Sequence, residues 1–358
     1  MIQRLAADRA LVAELECRML DLERSLAELR KDKELVQERL DSYTYPVLNL
    51  PNEITALIFV NFLPSYPVPP PFQGPLSPLH LTQICRKWRD IALACPTLWR
   101  AIKLPRAHGV AAPQIMELAD RWLSRSGCGA LSIGIDGSSS PAPETLALKY
   151  RARWEFVRLY HEHDCRQDFR TLQGPMPLLR DLDVSSYRAF VLTRDDAPLL
   201  RAVRIRRGTP LTGLVMPWVQ LTWLKVDGIE IQECVPILQQ ASNLTSCGLR
   251  IRRLENPVVL PDIHLPFLKT LRLLTPHKPV LKVLNALVVP KLRHLSIEHR
   301  ALGTWPVDTL AALVSKSGCR LQLLRIYTAV QIPEGSLQAY RNVCPSAQIV
   351  ISVIDKRQ

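Results

Sequence analysis

A short leucine motif that recurs through the last two thirds of the chain constrains its fold more than any other feature. Seven segments read L-x-x-L-x-L or a close variant, and three weaker copies precede them. From Leu131 onward the central apolar position returns at intervals of 21 to 29 residues. A unit that returns so regularly predicts a repetitive architecture. The central positions are Ile102, Leu131, Val157, Leu182, Val203, Leu224, Cys247, Leu271, Leu295 and Leu324.

The segments between these motifs read as short helices, for example APQIMELADRWL and VDTLAALVSK. A strand, a turn and a helix repeated about every 20–29 residues is the pattern of leucine-rich repeats, which stack into a solenoid with parallel strands along one face. The asparagine or cysteine that usually follows the strand is mostly absent here. We therefore expect an irregular α/β horseshoe over residues 105–358, with an unrelated α/β domain as the alternative.

Side-chain alternation along the motifs predicts which residues point away from the core. Two aspartates, Asp181 and Asp183, and His294 fall on this outward face together with many arginines and aromatic residues. Arginine mixed with aromatic residues is the composition of binding hot spots, and an acidic or phosphorylated target segment would complement it. An ordinary solvated strand face is the alternative. The candidate target-binding residues are Arg158, Tyr160, Arg204, Arg206, Trp223, Lys225, Arg250, Arg272, Arg325 and Tyr327.

The N-terminal arm, residues 1–44, carries a heptad pattern. Apolar residues return every seventh position in two seams, interrupted by Asp8 and Lys33, and no proline or glycine occurs before Pro46. Two such seams predict a coiled-coil helix. Residues 5–40 could pair with a second copy of the chain or with a partner, or the helix could fold back on its own chain.

The next segment, residues 45–104, reads as a small helical module interrupted by a loop. Seven prolines between Pro64 and Pro78 exclude a helix there and predict an extended loop, either a spacer or a ligand for proline-binding grooves. Beyond it, the stretch from Ile84 to Cys95 places its apolar residues and Trp88 on one side of an expected single helix. Its cations fall on the other side, so packing is favoured over base stacking.

The order of motifs in this segment resembles the F-box. The residues are LP-x-E-I-x-x-x-I-F-x-x-F-L, then L-x-x-I-C-R-x-W-R-x-I-A, then P-x-L-W. With the heptad arm and the YPVLNLP entry, the chain is similar to F-box-like proteins abundant in mushroom-forming fungi. The resemblance implies an all-α module, here with an unusually long proline-rich loop, that docks on a Skp-family adaptor of a cullin ubiquitin ligase. It assigns the adaptor contact and the module core to Leu50, Pro51, Ile54, Ile58, Phe59, Leu63, Ile84, Cys85, Trp88, Leu98 and Trp99.

Composition and missing motifs narrow the function further. The nine cysteines are scattered without any C-x-x-C, which is typical of reduced thiols in the cytoplasm or nucleus. Neither a secretory leader nor an apolar run long enough for a membrane span is recognised, so no membrane is expected among the partners. Phosphate-cradling and nucleophile-elbow motifs are absent, and the spacing of His161, His163 and Cys165 suits no common zinc site. We expect no catalytic residue, cofactor or metal.

These patterns together predict a non-catalytic substrate-recognition subunit of a cullin-type (SCF) ubiquitin ligase. Its F-box would bind a Skp-family adaptor, and through it a cullin, while the repeats would bind a target protein. Two alternatives stay open: a repeat scaffold outside any ligase, and a basic nucleic-acid-binding protein suggested by the net charge of +13. Nucleic acid is the less expected partner, because no block of lysine and arginine occurs.

Overall fold

A computed structural model describes residues 2–42, 45–104, 112–136, 141–160, 172, 174–252, 260–274, 280–298, 307–328 and 334–353. The chain divides into two compact units, Met1–Leu57 and Ile58–Gln358. The domain boundaries expected at residues 45 and 105 are not tested by this division and stay predictions.

The first unit is dominated by one long helix. Helix α1 spans Ile2–Ser42, and its described side chains are exposed, including leucines of both heptad seams. At about 1.5 Å per residue, a helix of 41 residues is about 60 Å long. The predicted N-terminal helix is confirmed, whereas its pairing in a coiled coil stays a prediction. A short 3-10 turn, Pro46–Asn49, follows.

Three short helices and a turn precede the sheet. They are α2 (Asn52–Phe62), α3 (Pro78–Ile84), α4 (Arg86–Leu93) and a 3-10 turn (Pro96–Trp99). Ser77 caps α3, because its Oγ accepts a hydrogen bond from the Leu79 amide.

The expected single helix from Ile84 to Cys95 is wrong. The chain becomes extended at Cys85, with φ −154° and ψ 169°, and the Cys85 Sγ accepts a hydrogen bond from the Trp88 amide. Cys85 therefore caps α4, and Ile84 ends α3 as an exposed side chain. A thiol is a weak acceptor, so this cap could not be recognised from the local sequence.

An eleven-stranded parallel sheet forms the body of the second unit. Each strand pairs with the next main-sheet strand along the chain. The strands are β1 (Ala101–Leu104), β2 (Leu131–Asp136), β3 (Trp154–Tyr160), β4 (Asp181–Ser185), β5 (Ala202–Ile205), β6 (Trp223–Ile229), β7 (Ser246–Ile251), β9 (Thr270–Leu274), β11 (His294–Glu298), β12 (Leu323–Thr328) and β13 (Gln348–Val353).

Helices and a small second sheet complete this unit. The helices are α5 (Ala112–Arg125), α6 (Ala142–Lys149), α7 (Ile231–Gln240), α8 (Val280–Ala286), α9 (Val307–Ser317) and α10 (Glu334–Val343). Two short parallel strands, β8 (Ile263–His264) and β10 (Leu287–Val288), pair with each other. No α-helix occurs within the described residues 174–222, so the strand–helix alternation predicted throughout the repeats fails between β4 and β6.

Register turns the leucine motifs into aligned apolar rows. Val157, Leu182, Val203 and Leu224 stand side by side on successive strands, and all are buried. Full burial of such a side chain contributes about 1.5–3 kcal/mol relative to its exposed state. These rows form the core beneath one face of the sheet and confirm the predicted parallel strands.

Two details of the sheet differ from the sequence prediction. In β2, a bulge at Leu131 and Ser132 brings Ile133, rather than Leu131, into register with Val157. The last strand, β13, carries no leucine motif, although Ile349 and Ile351 continue the apolar rows beside β12.

Candidate interaction surfaces

The sheet face opposite the apolar rows carries a row of charged side chains. Because the strands pair in register, the outward residues of successive strands also align. We call this surface the outward face. Its middle row, from β1 to β13, is Lys103, Gly134, Arg158, Asp183, Arg204, Lys225, Gly248, Arg272, Ser296, Arg325 and Val350.

All ten candidate target-binding residues lie on or directly beside this outward face. None of them is buried, and Trp223, Arg250 and Arg272 are the most exposed. The structure therefore brings together the set that alternation predicted. Whether the face binds a target stays a prediction.

Tyr160, Asp183 and Arg206 form a closed ionic cluster at one side of the outward face. Arg206 donates to both oxygens of the buried Asp183 carboxylate, at 2.7 and 2.9 Å, and to the Tyr160 hydroxyl at 2.8 Å. The Tyr160 hydroxyl in turn donates to Asp183 at 2.8 Å, and the Arg206 guanidinium lies 4.3 Å from the Tyr160 ring centroid. The hydrogen bonds to Asp183 raise the pKa of Arg206. The Nε and one Nη group of this guanidinium are thus already hydrogen-bonded within the chain.

Beside that cluster, β5 to β9 carry more positive charge than their carboxylates balance. Asp227 pairs with Arg204 at 3.7 Å and with Lys225 at 3.8 Å, both long distances. Arg250 and Arg272 form no salt bridge with any described residue. Burial lowers the pKa of Lys225, Asp227 opposes the shift, and the arginines around it lower the pKa further. We call Arg204, Lys225, Arg250 and Arg272 the basic block.

Unsatisfied donors occur within the same row. The Nε–H groups of Arg204 and Arg325 are buried and have no hydrogen-bond acceptor among the described residues. Arg272 places its guanidinium 5.0 Å from the Tyr327 ring centroid. Buried donors without acceptors cost free energy, so an added acceptor would stabilise this surface.

Asp181 is an acidic exception on β4. Burial and the neighbouring Asp183 raise the pKa of Asp181, while Arg158 and Arg204 oppose that shift. The folded protein therefore disfavours the ionised form of Asp181 relative to water.

Helix α2 presents apolar side chains to solvent. Thr55 and Phe59 are buried one turn apart, and Leu63 continues this inner side. On the outer side, Ile58 is 48 % exposed and Phe62 is 47 % exposed. Ile54 and Leu57 of the same helix are exposed as well. With Val60, which is also exposed, five apolar side chains of this 11-residue helix face solvent, which is typical of a contact surface.

The other candidate adaptor residues divide by burial. Phe59, Leu63, Leu98 and Trp99 are buried, so they can shape a contact surface but cannot lie on it. Leu50, Cys85 and Trp88 are half-buried, whereas Pro51 and Ile84 are exposed.

Trp88 and Trp99 belong to the packing of the second unit. The Trp88 ring meets Phe59 edge-on, with centroids 5.0 Å apart. Trp99 donates from Nε1 to the Ala92 carbonyl at 2.9 Å and packs edge-on against Trp122 of α5 at 5.2 Å. Trp99 thus joins the turn after α4 to the helix that follows β1.

The proline-rich loop, residues 64–78, packs against strand β3 and helix α5. The Tyr66 hydroxyl donates to Glu155 of β3 at 2.8 Å, and its ring meets Phe156 edge-on. Phe72 stacks on Trp122 with centroids 5.5 Å apart. The loop is therefore held in place by side-chain contacts and is not a free spacer. Its composition contained no indication of these partners.

Within the described ranges, no three histidine, cysteine or acidic side chains are grouped as a metal ion would need. His161, His163 and Cys165 lie outside the described residues.

None of the described helices combines the length and the apolar character needed to cross a membrane.

No protein-family model matches the chain, and no curated protein matches it either.

Proposed function

We propose that this protein is a non-catalytic substrate-recognition subunit of a cullin-type ubiquitin ligase. Residues 45–104 would act as an F-box that binds a Skp-family adaptor, and residues 105–358 as an irregular leucine-rich-repeat solenoid that holds the target. The protein would form no covalent bond itself, and its contribution would be to bring target and ubiquitin carrier together. It would work in the cytoplasm or nucleus.

The apolar outer side of α2 is the observation that carries this proposal. Ile58 and Phe62 are one helical turn apart, so their side chains lie on the same flank of the helix. A soluble protein rarely exposes such groups without a partner to cover them. The order of the surrounding motifs supports a Skp-family adaptor as that partner.

The parallel sheet supports the repeat part of the proposal. Sheets made only of parallel strands are usually covered on both faces, and their strands are then apolar throughout. Here the middle row of the outward face is charged or polar from β3 to β12 except at Gly248, as in Arg158, Arg204, Lys225 and Arg272. Parallel strands in chain order with one polar face are what a leucine-rich-repeat solenoid needs for target binding.

The turn after α4 packs against α5, and this packing supports a rigid connection between the proposed adaptor-binding and target-binding parts of the chain. Trp99 and Trp122 are buried and in contact, and Arg125 covers the Trp99 ring at 4.8 Å. A rigid connection of this kind would hold the target at a defined distance from the adaptor.

Co-expression with a Skp-family adaptor tests the proposal. The wild-type chain is expected to co-purify with the adaptor, and Ile58→Asp combined with Phe62→Asp is expected to abolish this. Val60→Asp is the matched control, because Val60 is exposed on a different flank of α2. Absence of the adaptor from the wild-type preparation, or equal loss with the Val60 variant, would refute the assignment.

A further inference from the structure

The basic block marks the part of the outward face where the chain leaves its own cations least compensated. Arg206 donates to both oxygens of Asp183, but Arg204 and Lys225 share Asp227 at 3.7 and 3.8 Å. Arg250 and Arg272 have no carboxylate within salt-bridge distance among the described residues, although Arg250 stands opposite Asp227 in the register of β6 and β7. Like charges held together on adjacent strands destabilise the free protein and favour a bound anion.

From this arrangement we infer that the basic block binds an extended, glutamate- or aspartate-rich segment of a protein partner. The bound carboxylates would accept hydrogen bonds from the accessible N–H groups of the arginine and lysine side chains in the block. This inference rests on the proposed function, since it names the chemistry of the target that the repeats would hold.

Spacing along the middle row fits an extended peptide. From Arg204 to Arg325 the row crosses five strand intervals. At about 4.8 Å per interval this is about 24 Å, which an extended segment covers with about seven residues. Carboxylates on alternate residues of that segment would all face the row, with Arg325 and its buried Nε–H near one end.

The charge pattern and the aromatic packing of the outward face favour a protein rather than a nucleic acid as the partner of the basic block. Asp181, Asp183 and Asp227 lie among the cations and would repel a continuous phosphodiester backbone. The rings of Tyr160 and Tyr327 are covered by Arg206 and Arg272, so neither presents that face for base stacking. Carboxylates placed one by one between these groups suit the surface better than a phosphodiester backbone, which carries a charge at every nucleotide.

Fluorescence anisotropy with labelled nine-residue peptides tests the inference on the full chain at physiological salt. The main probe alternates serine with four glutamates, and a second probe carries the same four glutamates in one block. A peptide with two phosphoserines and an oligothymidine of similar charge distinguish other anions. The test variant is Arg204→Gln with Lys225→Gln and Arg272→Gln. Its control, Arg121→Gln with Arg320→Gln and Arg341→Gln, removes the same charge from exposed positions elsewhere.

The alternating glutamate peptide is expected to bind most tightly. The test variant should weaken it about tenfold or more, and the control should change it less than about twofold. Arg272→Gln alone, at an exposed position, should show a smaller loss even if the triple variant folds poorly. Equal weakening by test and control variants would overturn the inference, as would tighter binding of the phosphoserine peptide or the oligothymidine. Adaptor binding at α2 is measured separately, so its loss would refute the proposed function and leave this result unaffected.

Discussion

Tyr66 of the proline-rich loop donates its hydroxyl hydrogen to the Glu155 carboxylate of β3 at 2.8 Å. Arg100 lies over the Tyr66 ring at 4.3 Å and approaches the same carboxylate at 3.7 Å, and Arg180 reaches it at 3.2 Å. Burial and the hydrogen bond to Glu155 raise the pKa of Tyr66. A loop with seven prolines is thus anchored by one side chain to the third strand of the sheet.

We expect this anchor to contribute measurably to stability. Tyr66→Phe removes a part-buried hydrogen bond to a charged group, which contributes about 1–2 kcal/mol. Urea unfolding of Tyr66→Phe, Glu155→Gln and the double variant gives the coupling energy between the two side chains. A double variant whose loss equals the sum of the single losses would mean that the anchor contributes nothing.

Asp181 should give stability an unusual dependence on pH. Because burial and Asp183 raise the pKa of Asp181 in the folded state, the folded protein keeps this proton longer than the unfolded chain. Stability from this group is present below the ordinary aspartate pKa and is lost as the pH rises through the folded pKa.

Asp181→Asn should therefore be more stable than wild type at neutral pH, with the difference shrinking on acidification. Thermal unfolding across that pH range measures it. Asp136→Asn is the control of opposite sign, because it loses the 2.7 Å ion pair with Lys103. A destabilised Asp181→Asn at neutral pH would contradict the expectation.

The buried thiols should react very slowly with alkylating reagents in the folded protein. Burial raises the pKa of Cys247 to about 12 and that of Cys344 to about 11, and it raises the pKa of Cys234 further. At pH 8, alkylation of these cysteines should be more than about a hundredfold slower than that of the exposed Cys17 and Cys128. Mass spectrometry after timed iodoacetamide treatment resolves each site. Rapid labelling of Cys247 without denaturant would be incompatible with its place in the apolar rows.

Self-association of the arm is one of the pairings that the heptad seams of α1 allow. Leu22 and Leu29 belong to one seam and are exposed, so Leu22→Asp with Leu29→Asp should shift sedimentation of the full chain toward monomer. Leu20→Asp with Leu35→Asp is the matched control, since both leucines are exposed but lie off the seams. A wild-type chain that sediments as a monomer at all concentrations would exclude the homodimer.

Sequence patterns anticipated the sheet better than the helical module. Leucine motifs located ten of the main strands because apolar alternation is decided by burial on one face, and the outward residues followed from the same alternation. Asp227 was missed, although it continues the outward series from Trp223 and Lys225 on β6.

Contacts set by tertiary packing could not be predicted from these sequence patterns. The break at Cys85 depends on a thiol cap, and the packing of Tyr66 on Glu155 joins residues 89 positions apart. Neither has a periodic signal, because each is set by tertiary packing rather than by local pattern.

Titration of a purified Skp-family adaptor into the full chain by calorimetry tests the central claim most directly. We predict one adaptor bound per chain, with affinity reduced about a hundredfold or more by Ile58→Asp with Phe62→Asp, since two apolar anchors would be lost. The variant lacking Arg204, Lys225 and Arg272 should bind the adaptor as wild type does. No heat of binding for the wild-type chain, or unchanged affinity in the α2 variant, would contradict the account.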